Sequence, residues 1–184
     1  MLLLSVDTCG SMGSVALGRL AGRDLEILAQ IELEGRSYSS TLVAAVAELL
    51  AGAGVGLKDV GGIIAVNGPG SFTGVRVGLS AVKGLAEPGQ IPVVAISRLA
   101  VLSRKAGVPT AALDAHRSEV YLRLERAGQE PVELLAGSQE LAAISPAPLR
   151  VAACDEAAVA LLATAWPSTQ LVMSAAPTAA SSVT

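Results

Sequence analysis

TAALDAHRSEVYLRL, residues 110–124, repeats the plan of LSVDTCGSMGSVALGRL, residues 4–20. In each, an apolar run delivers an aspartate, Asp114 or Asp7, into a polar turn, and a second apolar run returns through Leu122-Arg123-Leu124 or Leu17-Gly18-Arg19-Leu20. Short apolar runs bounded by Asp, Ser and Gly are the pattern of buried strands joined by turns. An aspartate at such a junction commonly accepts a hydrogen bond from its own backbone two residues on. Two Asp-turned hairpins, their aspartates 107 residues apart, predict a duplicated α/β domain.

Outward from the first hairpin, Leu25, Ile27, Ala29, Ile31 and Leu33 alternate with mostly polar neighbours, which predicts a third strand and an antiparallel meander. From Ser37 the period changes: Leu42, Ala45, Val46, Leu49 and Leu50 recur at three and four residue steps, the signature of a helix, which Gly52 and Gly54 end. Gly61 to Val66 is an apolar run of strand length, followed by a helix that stops near Pro88-Gly89, a strand at Pro92 to Ile96, and a helix from Ser97 to about Lys105. After the second hairpin the pattern predicts a helix at Ser138 to Ile144, a strand at Leu149 to Ala153, a helix at Asp155 to Ala165 and a strand at Leu171 to Met173. Ala175 to Thr184 lacks an apolar stripe and reads as a helix start whose continuation is missing. The expected domains are residues 1–106 and 107–184.

A chain of 184 residues, 52% apolar and 16% charged, can build one large domain or two small ones. Aromatics at 2% leave no platform for stacking bases, and 13 Lys and Arg against 16 Asp and Glu set up no field that draws a polyphosphate backbone. Cys9 and Cys154 form neither a Cys-x-x-Cys pair nor a Cys/His ligand pattern, so no disulfide framework or zinc site is expected and a reducing compartment fits. The opening MLLLSV is too short to span a bilayer or serve as a signal core. The expectation is a cytoplasmic protein with no membrane partner.

NGPGSFTGVRVGLSAVKG, residues 67–84, begins like a phosphate loop and continues as a helix carrying Gly74, Gly78 and Gly84. It lacks both the Gly-Lys-Ser/Thr of a P-loop and the spacing of a dinucleotide fingerprint. Amides at the start of the helix could still hold an anion, which makes Gly70, Ser71 and Thr73, with Asp7, the candidate anion or nucleotide site. Each interior glycine costs a helix about 1 kcal/mol, so something must offset the loss. Gly74, Gly78 and Ala81 share one face, flanked by Val75, Leu79 and Val82. That face either packs on the protein's own sheet or opens a groove for a foreign helix, beside the Ser37 to Leu50 helix. Catalytic groups are few: His116 is the only histidine, and Asp7 and Asp114 could bind Mg²⁺, act as bases or simply form turns.

GPGSFTGVRVGLSAVKGLA, residues 68–86, together with SVDTCGSMGSVAL and ALDAHRSEVY, resembles the TsaB (YeaZ) family in order and spacing. The resemblance implies an α/β fold of two duplicated actin-like (ASKHA, RNase H-like) lobes. It further implies a part in making N6-threonylcarbamoyladenosine at position 37 of tRNAs that read codons beginning with A, as a non-catalytic partner of TsaD, with TsaE in the same assembly. Members pair through N-lobe helices, so the resemblance makes Arg36, Tyr38, Leu42, Val46, Gly74, Val75, Arg76, Gly78, Leu79, Ala81 and Val82 an interface, used also by a homodimer. No metal and no cofactor of its own are implied, ATP and Mg²⁺ entering only at the junction with TsaD, and tRNA is met only through the complex. Tyr38-Ser39 stands where the family usually has His-Ser, and the customary closing helix is missing. The alternative is a free-standing actin-like ATPase or small-molecule kinase acting through Asp7 and Asp114.

Overall fold

Ten strands and six α-helices make up residues 1–35 and 37–183, the part of the chain described by the computed structural model. In chain order they are β1 (Leu2–Asp7), β2 (Met12–Ala21), β3 (Asp24–Glu34), α1 (Tyr38–Gly52), β4 (Val60–Val66), α2 (Phe72–Ala86), β5 (Val93–Ile96) and α3 (Arg98–Ala106). There follow β6 (Ala111–His116), β7 (Glu119–Leu124), β8 (Val132–Ala136), α4 (Ser138–Ala143), β9 (Arg150–Ala153), α5 (Glu156–Ala165), β10 (Gln170–Met173) and α6 (Ala179–Val183).

The duplication is complete. One sheet has the order β3-β2-β1-β4-β5 and the other, read from its opposite edge, β8-β7-β6-β9-β10. In each, the first strand is antiparallel to the second and parallel to the fourth, the third is antiparallel to the second, and the fifth is parallel to the fourth. The α/β fold with mixed sheets flanked by helices is therefore the one expected. The strand β8 was not expected, because Val132-Glu133-Leu134-Leu135 alternates poorly and lies on a sheet edge with Val132 and Leu135 exposed.

The chain falls into two units, Met1–Arg98 with Thr178–Thr184, and Leu99–Pro177. This differs from the expected division at residue 106 at two places. The helix α3 joins the second unit because Leu99 and Leu102 pack with Val108, Ala111, Leu113 and Ala152. The C-terminal stretch returns to the first as α6, where Ala179 N–H donates to the buried Ser14 hydroxyl and Ser182 contacts Ser5. It has no apolar stripe because the sheet face beneath it presents serines and Gly18 instead of large side chains.

On the other face of the first sheet, Leu4, Val6, Val15, Leu17 and Ile63 are covered by Leu42, Val46 and Leu49 of α1 and Val82 and Ala86 of α2. In the second unit Leu122, Val151, Leu141 and Leu162 pack around Trp166, whose indole N–H donates to the Leu141 carbonyl. Among the described residues no helix is long and apolar enough to cross a membrane.

Candidate functional site

The β1–β2 turn gathers the buried polar groups of the first unit. Asp7 and Thr8 are each 1% exposed. Asp7 Oδ1 accepts from Cys9 N–H at 2.9 Å, the expected bond to the amide two residues on, and Oδ2 lies 3.9 Å from Arg98 Nε. Burial pushes the Asp7 carboxyl above its ordinary 3.8, and the Arg98 charge and the Cys9 amide offset this only in part. Burial, followed by the neighbouring Asp7 charge, raises the Cys9 thiol to about 12. Its Sγ donates to the Val66 carbonyl, so it is a packed thiol and no nucleophile at neutral pH. Tyr38 closes the turn from α1, its hydroxyl donating to Gly10 O at 2.9 Å; burial and then the Asp7 charge raise its pKa to about 12.

The loop before α2 wraps the same turn. Ser71 N–H donates to Cys9 O at 2.7 Å, and Ser71 Oγ, at the N-cap, accepts from Gly74 N–H at 3.2 Å. Gly70 lies against the Cys9 carbonyl. Of the predicted anion site, Gly70 and Ser71 are thus engaged with the chain's own turn, and Thr73 stands exposed on the first turn of α2.

The second hairpin mirrors the first. Asp114 Oδ1 accepts from His116 N–H at 2.9 Å, again two residues on, while Oδ2 lies 2.9 Å from His116 Nδ1. The His116 side chain is 87% exposed. Asp155 ties this strand end to α5: its Oδ2 accepts from Asp114 N–H and its Oδ1 caps the helix at Ala158 N–H.

The predicted groove on α2 is closed. A Cβ at Gly74 would lie 2.1 Å from the Thr8 carbonyl oxygen, and one at Gly78 would lie 2.2 Å from Thr8 Oγ1, which donates to Gly74 O. The missing side chains admit the protein's own β1–β2 turn, so these glycines cannot receive a foreign helix. Tyr38, Leu42, Val46 and Val82 also belong to the protein's own core. Val75, Leu79 and Ala81 are half-buried, and Arg76 is exposed with its guanidinium 3.9 Å from the centroid of the Phe72 ring. Arg36 lies outside the described residues.

The free apolar surface lies instead on the outer side of α1. Val43, Ala44, Ala47 and Ala51 are exposed and follow one another at helical spacing. Val43, Ala47 and Ala51 edge a shallow groove of about 290 Å³ that continues over Leu50, Val55, Leu57 and Leu85. Phe72, 68% exposed, projects from α2. Sequence reasoning missed this face although its signal was present: α1 carries Val43, Ala44, Ala47 and Ala51 in addition to its buried apolar positions, which a helix covering one sheet does not require. It also missed Arg98, whose partner Asp7 is remote in sequence.

Residues 25–142, well over half of the chain, match the family described as "TsaD: tRNA N6-adenosine threonylcarbamoyltransferase". The "tRNA threonylcarbamoyladenosine biosynthesis protein TsaB" of Escherichia coli is 35% identical over 127 residues, 66% of this chain and 53% of that protein. The structure of YeaZ from Pseudomonas aeruginosa superposes with a TM-score of 0.75 at 29% identity, covering 99% of this chain and 88% of that one. The chain belongs to this family, on its TsaB (YeaZ) branch. A "tRNA N6-adenosine threonylcarbamoyltransferase" of Novosphingobium aromaticivorans is 40% identical over 68 residues, 37% of this chain and 19% of that protein. The chain spans about half the length of the curated TsaB relatives it matches. In this TsaB-branch chain the family signature, residues 68–86, is the loop and helix that clasp the β1–β2 turn through Ser71, Gly74 and Gly78. Gly70, Gly74 and Gly78 of the signature therefore have a packing role inside one unit.

Proposed function

We propose that this chain works in the biosynthesis of threonylcarbamoyladenosine in tRNA, as a non-catalytic subunit that docks on a TsaD-type transferase acting at adenosine 37. The observation that carries this reading is the unpartnered apolar side of α1, with Val43, Ala47 and Ala51 in line and a groove running to Leu85. Family membership supports a partner of the same fold, and such a partner would present a comparable helix pair. The polar turn supports the absence of chemistry in this subunit: Asp7 is sealed against Cys9 and Arg98, and the Cys9 thiol is held protonated. On this reading two copies pair through the same face when no partner is present, TsaE joins the heteromeric assembly, and ATP with Mg²⁺ and the tRNA are engaged only there.

Sedimentation of the chain mixed with TsaD tests it. A heterodimer at micromolar concentration is expected, and Ala47→Arg should abolish it while leaving the melting temperature unchanged, because Ala47 is exposed. An unimpaired Ala47→Arg assembly would move the interface elsewhere, and no assembly at all would remove the reading. Turnover of Mg-ATP by the isolated chain, lost in Asp7→Asn, would favour the kinase alternative instead.

A further inference from the structure

The hairpin between β6 and β7 carries three side chains whose backbone position is costly to them. His116 pairs with Glu119, so the loop is the two residues Arg117 and Ser118, with φ of 54° and 61°, and His116 itself has φ 63°. Positive φ at both central residues is what a tight hairpin turn demands, and Asn-Gly meets that demand at little cost. A long cationic side chain and a β-hydroxyl meet it only with strain. Among the described residues the side chains of Arg117, Ser118 and Glu119 make no hydrogen bond or ion pair, so no polar contact of these side chains offsets that strain.

These residues line an open cavity of about 390 Å³ whose lining belongs wholly to the second unit, with His116, Arg117, Ser118, Ala157 and Ala160 exposed. One wall is polar, with Asp114, His116, Arg117, Ser118 and Glu119, and the other is Ala157, Ala160 and Leu161 of α5. Asp114 and His116 are spent on each other, which leaves, among the described residues of this lining, a cation at Arg117, an anion at Glu119 and the Ser118 hydroxyl. A cavity with one unpaired charge of each sign beside a small aliphatic wall matches a ligand carrying both charges and a short apolar arm. Guanidinium and hydroxyl together suit a carboxylate, and a carboxylate suits an ammonium group.

We propose that this cavity binds a small zwitterion of the α-amino acid class, its carboxylate held by Arg117 and Ser118, its ammonium by Glu119 and its aliphatic arm by Ala157, Ala160 and Leu161.

The test is a calorimetric titration of the full chain with L-valine, N-acetyl-L-valine and L-valinamide. L-Valine should bind, and the two derivatives, each lacking one charge, should bind at least about tenfold more weakly, since each forfeits a charge-assisted contact. The double variant Arg117→Asn/Ser118→Gly should lose affinity for L-valine by at least about tenfold while its melting temperature rises by roughly 2–4 °C, because the turn sheds its strain. Glu119→Gln should weaken L-valine and leave N-acetyl-L-valine unaffected. No heat with L-valine up to its solubility limit would overturn the proposal. Equal affinity for all three compounds, or unchanged binding in the double variant, would overturn it as well.

Discussion

At the scale of single residues, three glycines of one helix have opposite fates. Gly74 and Gly78 sit where any Cβ would enter Thr8, whereas a Cβ at Gly84 meets nothing within 4 Å. Alanine has an advantage of about 1 kcal/mol over glycine in a helix, so Gly84→Ala should stabilise by about that amount. Gly74→Ala faces a backbone oxygen that cannot swing away, and it should destabilise by about 1–3 kcal/mol despite the same gain in propensity. Denaturant unfolding of the two variants checks both signs. Asp7 makes a prediction in pH. Its native pKa is raised above the ordinary 3.8, so the stability it contributes is fully present below that value and is lost as pH climbs through the raised one. Relative to Asp7→Asn, the unmodified chain should therefore lose melting temperature as pH rises from acid towards neutral. A constant difference across that window would show that burial does not raise the pKa of this carboxyl. Cys9, 1% exposed with its thiol raised to about 12, should resist iodoacetamide at pH 8, where the half-buried Cys154 is alkylated first, as read by mass spectrometry of the peptides.

At the scale of elements, α5 is fixed at its start by one carboxylate with two duties. Asp155 caps the helix at Ala158 N–H and holds the end of β6 through Asp114 N–H. Asp155→Asn keeps an acceptor for one of these amides, while Asp155→Ala strands both. A loss of about 1–2 kcal/mol for the alanine variant is expected from the cap alone, with the asparagine variant closer to the unmodified protein. The helix α1 shows how an element can be read correctly while its surfaces are assigned wrongly. Its buried positions, Leu42, Ala45, Val46, Leu49 and Leu50, are the ones whose spacing announced the helix. The same spacing could not say that these residues cover the protein's own sheet and that Val43, Ala47 and Ala51 are left in solvent. Ser37 likewise precedes the helix as expected, yet its hydroxyl donates to Glu34 O and does not cap.

At the scale of the whole molecule, α6 lies farthest in sequence from the strands it covers. A chain ending at Pro177 would uncover Ser5 and Ser14, buried polar groups whose partners Ser182 and Ala179 would be gone. Unit one should then melt several degrees lower while the cluster around Trp166 is unaffected, a difference that Trp166 fluorescence and total ellipticity would resolve as separate transitions. The duplicated hairpins, the turn-forming aspartates, most strands and five of the six helices could be read directly, because they rest on periodicity and on bonds made within a few residues. β8 could not, because a short edge strand acquires its structure from the sheet it joins, and α6 was legible only as a helix start, its place on the first unit being set by the serines of the sheet it covers. The sequence by itself determined two α/β units, each opened by an Asp-turned hairpin, and the family to which they belong, since alternation, helical spacing and Asx turns are local properties. Only the tertiary structure decided that Thr8 fills the space left by Gly74 and Gly78, that Arg98 faces Asp7, and that the open face is Val43, Ala47 and Ala51. Which side of a helix is covered depends on what the remote chain brings to it.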